Sequence, residues 1–190
     1  MAAIRDVSDE CLRALRAIMK PGDIVGLFSA EPVAATEGLK VIANMTVEQM
    51  VYEGGAALAA AGEHATLTPA DVPEMMQLVE KTKPGPFFPR TIELGSYIGI
   101  RSDGRLIAMA GERMRFPGFT EISAVCTHPD HRGRGHSTSL VHIMMRAILD
   151  RGETPFLHVF KENTRAAALY DKLGFVRRRS LAVTVLKRPA

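Results

Sequence analysis

The spacing of apolar positions changes along this chain, and the changes outline its elements. A helix is predicted around Val7 to Met19. Short strands are predicted at "DIVGLF" (23–28) and "GLKVIAN" (38–44), and a helix over "TVEQMVYEGG" (46–55) that stops at its glycine pair. The low-complexity run "GGAALAAAG" then marks a lobe boundary near residue 62. From residue 65 the signals sharpen. "ATLTPADVPEMMQLVEKTKPG" reads as a strand followed by Thr68 as N-cap, Pro69 at the first helical position and Asp71 in capping-box position. Val72, Met75, Met76 and Val79 repeat at helical spacing, and Pro84 and Pro86 end the helix.

"SYIGIRSDGRLIAMAGERMRF" predicts a hairpin about Asp103-Gly104, a pair that supplies positive φ at low cost. Pro117-Gly118 turns the chain into a third strand, "FTEISAVCT". A glycine-punctuated loop follows, then a helix whose stripe is Leu140, Val141, Met144 and Ile148, with Gly152 at its stop. "TPFLHVF" (154–160) reads as a buried strand. "NTRAAALYDKLGF" reads as a helix with Asn163 as N-cap and Gly174 past its end, and "SLAVTVLK" (180–187) as a closing strand. The order from 65 is β-α-β-β-β-loop-α-β-α-β, with an extra helix near "PFFPRTIEL". Two domains are expected, an N-terminal lobe over 1–62 and a main domain over 63–190.

Composition narrows the class. At 46% hydrophobic and 24% charged residues, the 190-residue chain is globular rather than disordered. It has no apolar run near the roughly 18 residues that span a bilayer. Its charged N-terminus does not read as a secretory signal. Two cysteines, Cys11 and Cys126, are too few for a disulfide framework or a thiol-rich metal site, so a reduced, cytoplasmic protein is expected. Charge is asymmetric. Residues 1–95 hold 8 Lys and Arg against 13 Asp and Glu, whereas residues 96–190 hold 16 against 8. The basic half suits an anionic partner, either nucleic acid or a small phosphorylated ligand, or is simply a solvated basic surface.

The stretch "THPDHRGRGHSTSL" (127–140) chooses between these. A strand that turns through glycines into a helix points several backbone N–H groups at one place, where the helix adds about half a positive charge. Gly133 and Gly135 let a phosphate approach the backbone, and Arg132 and Arg134 add cationic donors. Other nucleotide motifs fit less well. The dinucleotide fingerprint needs a glycine where Thr138 stands, and the P-loop needs Lys-Ser/Thr where His136-Ser137 follows. His128, His131 and His136 sit among arginines with only Asp130 beside them, a poor host for a cation, so no metal is expected.

"VCTHPDHRGRGHSTSLV" followed by "PFLHVFKENTRAAALYDKLGF" resembles the GNAT superfamily of acyl-CoA-dependent N-acyltransferases. The first segment is similar to that family's pyrophosphate motif, Gln/Arg-x-x-Gly-x-Gly/Ala, aligned on Asp130 through Gly135, with Asp130 departing from the pattern. The second is similar to its Asn…Ala…Leu-Tyr…Gly-Phe helix. The resemblance covers roughly 65–190, and "Val-Cys-Thr-His-Pro" and "Leu-His-Val" look closest to the glycine N-acyltransferase-like branch. It implies an α/β (α+β) fold whose mixed central sheet has splayed parallel strands and flanking helices, plus a small N-terminal α/β lobe. It also implies acetyl-CoA as cofactor and direct acetyl transfer to a primary amine through a tetrahedral intermediate.

By that resemblance the splayed strands are 121–127 and 154–160. Val125, Cys126 and Thr127 would line the pantetheine. Arg132, Gly133, Arg134, Gly135, His136 and Ser137 would hold the pyrophosphate, and Asn163, Ala166 and Tyr170 would face the cofactor from the last helix. Tyr170 is implied as proton donor to the departing thiolate. Glu121 is the first candidate for general base and His158 the second, with an oxyanion donor from backbone N–H near Val125. An acyl-cysteine on Cys126, with His128 two residues on, is the alternative chemistry. The acceptor is a small-molecule or peptide amine, and a homodimer is an open alternative to a monomer. No nucleic-acid or membrane partner is expected. The competing reading is a non-catalytic acyl-CoA-binding or sensing module on the same fold.

Overall fold

The computed structural model describes residues 6–55 and 62–190. The run 56–61, on which the expected lobe boundary rests, lies outside them. The chain divides into two compact units. One takes the chain up to Gln49 together with Val159–Thr164 and Arg177–Ala190, and the other takes Met50–His158 with Arg165–Val176.

In the first unit, helix α1 (Asp9–Ile18) is capped by Ser8, whose hydroxyl accepts from the Cys11 N–H at 3.4 Å. It buries Leu12, Leu15 and the following Met19 against Val25, Leu27, Leu39 and Leu186. Strand β1 (Ile24–Ser29) pairs antiparallel with Ala182–Lys187 of the last strand, so this unit draws on both ends of the chain rather than on 1–62 alone. Strand β2 (Lys40–Tyr52) overturns the helix expected over 46–55. Val47, Met50 and Val51 have the i, i+3, i+4 spacing of a helix face. The preceding Val41, Ala43, Met45 and Val47 instead alternate in burial with period two, and the β-branched Val41, Ile42, Thr46, Val47 and Val51 suit a pleated ribbon. Side chains in this unit tie the last strand to β2, with Arg178 donating to Gln49 and the Ser180 hydroxyl to Glu48, each at 2.7 Å. In its strand order the last strand lies between β1 and β2.

The second unit is a mixed sheet of order β7-β6-β5-β4-β3. It is built from β3 (Ala65–Thr66), β4 (Tyr97–Ser102), β5 (Arg105–Phe116), β6 (Phe119–Thr127) and the start of β7 (Thr154–Phe160). β3 to β6 run antiparallel, and β6 and β7 run parallel. The Asp71 carboxylate accepts from the Thr68 N–H at 2.8 Å, a 3₁₀ turn over Pro69–Asp71 follows, and α2 (Val72–Thr82) continues from it. Met75 and Leu78 of α2 pack on Leu106, Met109, Ala124 and Cys126. Residues 106–112 of β5 form an unbroken buried run, so both faces of the sheet are covered. α2 takes the Met109 face, and α3 (His136–Asp150) also packs on β5 and β6. The segment expected as an extra helix is a 3₁₀ turn, Thr91–Leu94. Helix α4 is Thr164–Lys172, and β8 (Phe175–Lys187) starts five residues earlier than expected.

Two details of register shape the sheet. Between the pairs Met109↔Cys126 and Gly111↔Ser123, β6 uses one residue more than β5, and Ala124 in that bulge has φ 53°. Gly111 lies opposite and leaves room for an aromatic ring, since a Cβ there would sit 2.2 Å from the Tyr97 ring. Gly111→Ala should therefore destabilise the fold by about 1–3 kcal/mol, the range for overpacking a filled core. Urea unfolding should show a lower midpoint with an unchanged slope.

Candidate active site

Strands β6 and β7 pair only over Phe119–Glu121 and Thr154–Phe156 among the described residues. Beyond Glu121 the bulge at Ala124 turns β6, and the parallel ladder ends. The other edge of β6 stays paired, with Thr127 opposite Ala108 and the His128 N–H donating to the Ile107 carbonyl at 2.7 Å. The fork expected between 121–127 and 154–160 is thus present, and it begins one residue into that range.

At the far end of β6 the chain turns through Pro129–His131 into the glycines. Gly133 and Gly135 both have φ 79°, and a Cβ at either would meet nothing within 4 Å. Gly135 stands at the cap position of α3, where no side chain caps the first N–H groups. Arg132 and Arg134 are exposed, and the Arg132 Nε–H donates to the Thr127 carbonyl at 3.4 Å. Thr127 Oγ1 and Ser137 Oγ are 2.9 Å apart, which fastens the end of the strand to the first turn of the helix. Open space in front of two glycines, uncapped amides and flanking guanidiniums suit a diphosphate. Val125 and His136 are half-buried at the two ends of this turn.

The two residues expected as alternative bases are in contact. His158 Nδ1 lies 2.8 Å from Glu121 Oε1. Arg113, which the sequence reading passed over, donates to the same carboxylate through Nη2 to Oε1 at 2.6 Å and Nε to Oε2 at 2.9 Å. The side chains of Glu121, His158 and Arg113 are 1%, 5% and 10% exposed. Burial alone would raise the Glu121 pKa, but hydrogen bonds from His158 and Arg113 outweigh it and hold the carboxyl below its usual value. Tyr97 lies on the same cluster, electrostatically coupled to Arg113, Glu121 and Glu112. Its hydroxyl is buried with no hydrogen-bond partner among the described residues.

Tyr170 is buried on α4 with its ring edge on Phe175, and burial, with a smaller contribution from Cys126, pushes its phenol up to about 12. Ala166 is half-buried one turn earlier, while Asn163 is exposed just before the helix and belongs to the other unit. Cys126 is buried, and desolvation pushes its thiol up to about 11. His128 does not serve it. The imidazole has Lys81 Nζ 3.2 Å from Nε2, and its Nδ1 accepts from the Asp130 N–H at 3.3 Å.

A crystal structure of a GNAT-family protein from Novosphingobium aromaticivorans superposes with a TM-score of 0.85 at 37% identity, covering 95% of this chain and 82% of that one. The chain belongs to the GNAT family. The family profile described as "FR47-like protein" matches residues 97–183, which hold most of the GNAT-type site described above. The N-alpha-acetyltransferase RimI of Mycobacterium tuberculosis is 38% identical over 86 residues, 43% of this chain and 52% of that protein. The uncharacterized N-acetyltransferase YobR of Bacillus subtilis is 36% identical over 59 residues, 30% of this chain and 24% of that protein. The chain thus spans about half or less of these two curated relatives. The ribosomal-protein-S18-alanine N-acetyltransferase of Escherichia coli shares the GNAT fold at a TM-score of 0.56 and 19% identity.

The state of Cys126 can be measured directly. A thiol at about 11 is almost wholly protonated at pH 8, so it should react roughly a hundred-fold more slowly than an ordinary thiol near 8.5. Titration with an aromatic disulfide reagent should release the Cys126 equivalent only on unfolding. Prompt native reactivity at Cys126, located by mass spectrometry, would restore the acyl-cysteine route.

Proposed function

We propose that the protein transfers an acetyl group from acetyl-CoA to a primary amine. The observation that carries this reading is the fork between β6 and β7 opening beside an uncapped, glycine-lined helix N-terminus. Gly133, Gly135, His136 and Ser137, with Arg132 and Arg134, would hold the diphosphate. The unpaired edge of β6 at Val125, Cys126 and Thr127 would take the pantetheine amides, and Ala166 in the first turn of α4 would face the cofactor. Acetyl-CoA supplies the activated thioester.

The residues of the chain supply the rest. A protonated Cys126 favours direct attack by the amine over an acyl-enzyme. The Val125 N–H beside the bulge is the donor proposed for the developing oxyanion. Tyr170 keeps its proton throughout the neutral range and can return it to a leaving thiolate. The Glu121–His158 pair stands for removal of the acceptor's proton. The acceptor class extends to peptide α-amines, the group named in the mycobacterial relative, as well as small amines. We further infer a position near the glycine N-acyltransferase-like branch from Val125–Pro129 and Leu157–Val159, and a cytoplasmic site of action from the two unpaired cysteines.

Calorimetry tests the cradle: CoA should bind, and pantetheine, which lacks the diphosphate, should bind much more weakly. Gly133→Asp should abolish the difference, and equal affinity for the two in the wild-type protein would remove the basis of the reading. A panel of amines assayed for thiol release separates an enzyme from a binding module, because the latter would bind CoA and turn over nothing. Tyr170→Phe should lower kcat by about 10²–10⁴, toward the lower end because a CoA thiol leaves readily, with little change in the Kd for acetyl-CoA. With the phenol at about 12, no descending limb of the pH–rate profile below pH 11 should belong to Tyr170. A Tyr170→Phe enzyme at wild-type rate would make Tyr170 a packing residue.

A further inference from the structure

Residues of the first unit alone line a cavity of about 320 Å³. Ligand pockets generally run from about 300 to 1,000 Å³, so this one suits a compound of amino-acid size. Pro32, Met45 and Phe160 give it apolar walls, and Asn44 and Glu162 bring an amide and a carboxylate to its lining. The Lys161 N–H donates to the Thr46 carbonyl at 3.1 Å, which ties the segment carrying Phe160 and Glu162 to β2. The amide is held in one orientation. Thr184, fully buried, accepts from the Val33 N–H at 2.9 Å and donates its own hydroxyl to Asn44 Oδ1 at 2.9 Å. With that oxygen engaged, the two donors on Asn44 Nδ2 are left for another molecule. Glu162 is exposed, and neither its carboxylate nor Asn44 Nδ2 has a hydrogen-bond or ionic partner among the described residues.

One negative charge, one oriented pair of donors and an apolar wall call for a cation, an acceptor and a hydrocarbon in the same small molecule. A metal ion is not that complement. A hard cation takes about six to eight oxygen ligands, and no group of three or more His, Cys, Asp or Glu that could hold one occurs among the described residues. A free amino acid fits poorly, because its own carboxylate would lie beside that of Glu162. We propose that the cavity binds an α-amino amide, a primary ammonium with an amide carbonyl on the neighbouring carbon, which is the chemistry of the first residue of a peptide. Glu162 pairs with the ammonium, Asn44 Nδ2 donates to the carbonyl, and Pro32, Met45 and Phe160 take the side chain. Thr184 acts through Asn44 and is a positioning residue. The site goes beyond the acetyl-transfer reading and does not rest on it, since neither the glycine loop nor Glu121, Arg113 or Tyr170 lines the cavity.

The test is a nitrogen-15 NMR titration of the full chain with leucinamide, without acetyl-CoA. The Asn44 side-chain amide and the backbone amides of Thr46 and Ala182 should shift and saturate together. N-acetyl-leucinamide, which keeps the carbonyl and loses the ammonium, should bind more weakly, and so should 3-methylbutylamine, which keeps the ammonium and loses the carbonyl. Glu162→Gln should weaken leucinamide about fivefold, the upper end for a partly exposed ion pair. Asn44→Ala should weaken leucinamide and leave 3-methylbutylamine unchanged. Both side chains are exposed, so both variants should keep the wild-type unfolding midpoint. The proposal is overturned by the absence of saturable shifts at Asn44, Thr46 and Ala182, by equal affinity for leucinamide and its N-acetyl form, or by a Glu162→Gln protein that binds leucinamide as the wild type does. Because binding is read without acetyl-CoA, a protein that acetylates no amine would sink the acetyl-transfer reading and leave this one standing. A cavity that ignores leucinamide would do the reverse.

Discussion

One extra residue in β6 governs what this protein can do. Parallel ladders are self-propagating, because each pair sets the direction of the next. Without an interruption, β6 and β7 would zip together from Phe119 to Thr127. The bulge at Ala124 prevents it by turning the strand, and it does so through a left-handed residue that is not glycine. That conformation costs about 1–2 kcal/mol for an L-residue. The cost is offset by packing, since Ala124 and Cys126 lie in the cluster of Met75, Leu78, Met109 and Tyr97. The core therefore holds open the gap that the backbone alone would close.

The same constraint explains why a charged cluster is tolerated at so little exposure. Where the ladder ends, backbone groups no longer satisfy one another and side chains must fill the space. An isolated buried carboxylate would be strongly disfavoured. Glu121 is stable there because Arg113 reaches it from the neighbouring strand as a two-point fork and His158 reaches it across the fork. Breaking a buried pair of this kind by removing one partner typically costs about 3–5 kcal/mol. The pair and the bulge are thus interdependent, since the register shifts of β5 and β6 bring Arg113 to Glu121.

Much of this was legible in the sequence, for definite reasons. The turns at Asp103-Gly104 and Pro117-Gly118 are chemically specified, so β4, β5 and β6 fall where expected. The glycine loop and the helix after it depend on local chemistry as well. The helix expected over 46–55 is not formed: Val47, Met50 and Val51 mimic a helical face, and pairing to a strand far along the chain decides for β2. β8 was read too short because Arg177, Arg178 and Arg179 look like a loop when their partners, such as Gln49, are distant in sequence. In the site, Glu121 and His158 were named separately as rival bases, and a parallel contact 37 residues apart cannot be read from one strand at a time. Arg113 was missed although the hairpin about Pro117-Gly118 brings residues near 113–115 opposite 120–122. A pairing count would have found the neighbourhood, but the bulges hide which residue faces Glu121.

The protonation states of Tyr170 and Glu121 are set by environment as much as by residue type. Tyr170 and Glu121 are both deeply buried in the same unit, and burial alone would push both toward their neutral forms. Among the described residues the group coupled to Tyr170 is the Cys126 thiol, so burial prevails and its phenol stays protonated. Glu121 has a guanidinium and an imidazole, so hydrogen bonding prevails and its carboxyl stays ionised. Two groups of ordinarily distant pKa are thereby driven further apart, one fixed as a donor and one as an anion, neither changing state across the neutral range.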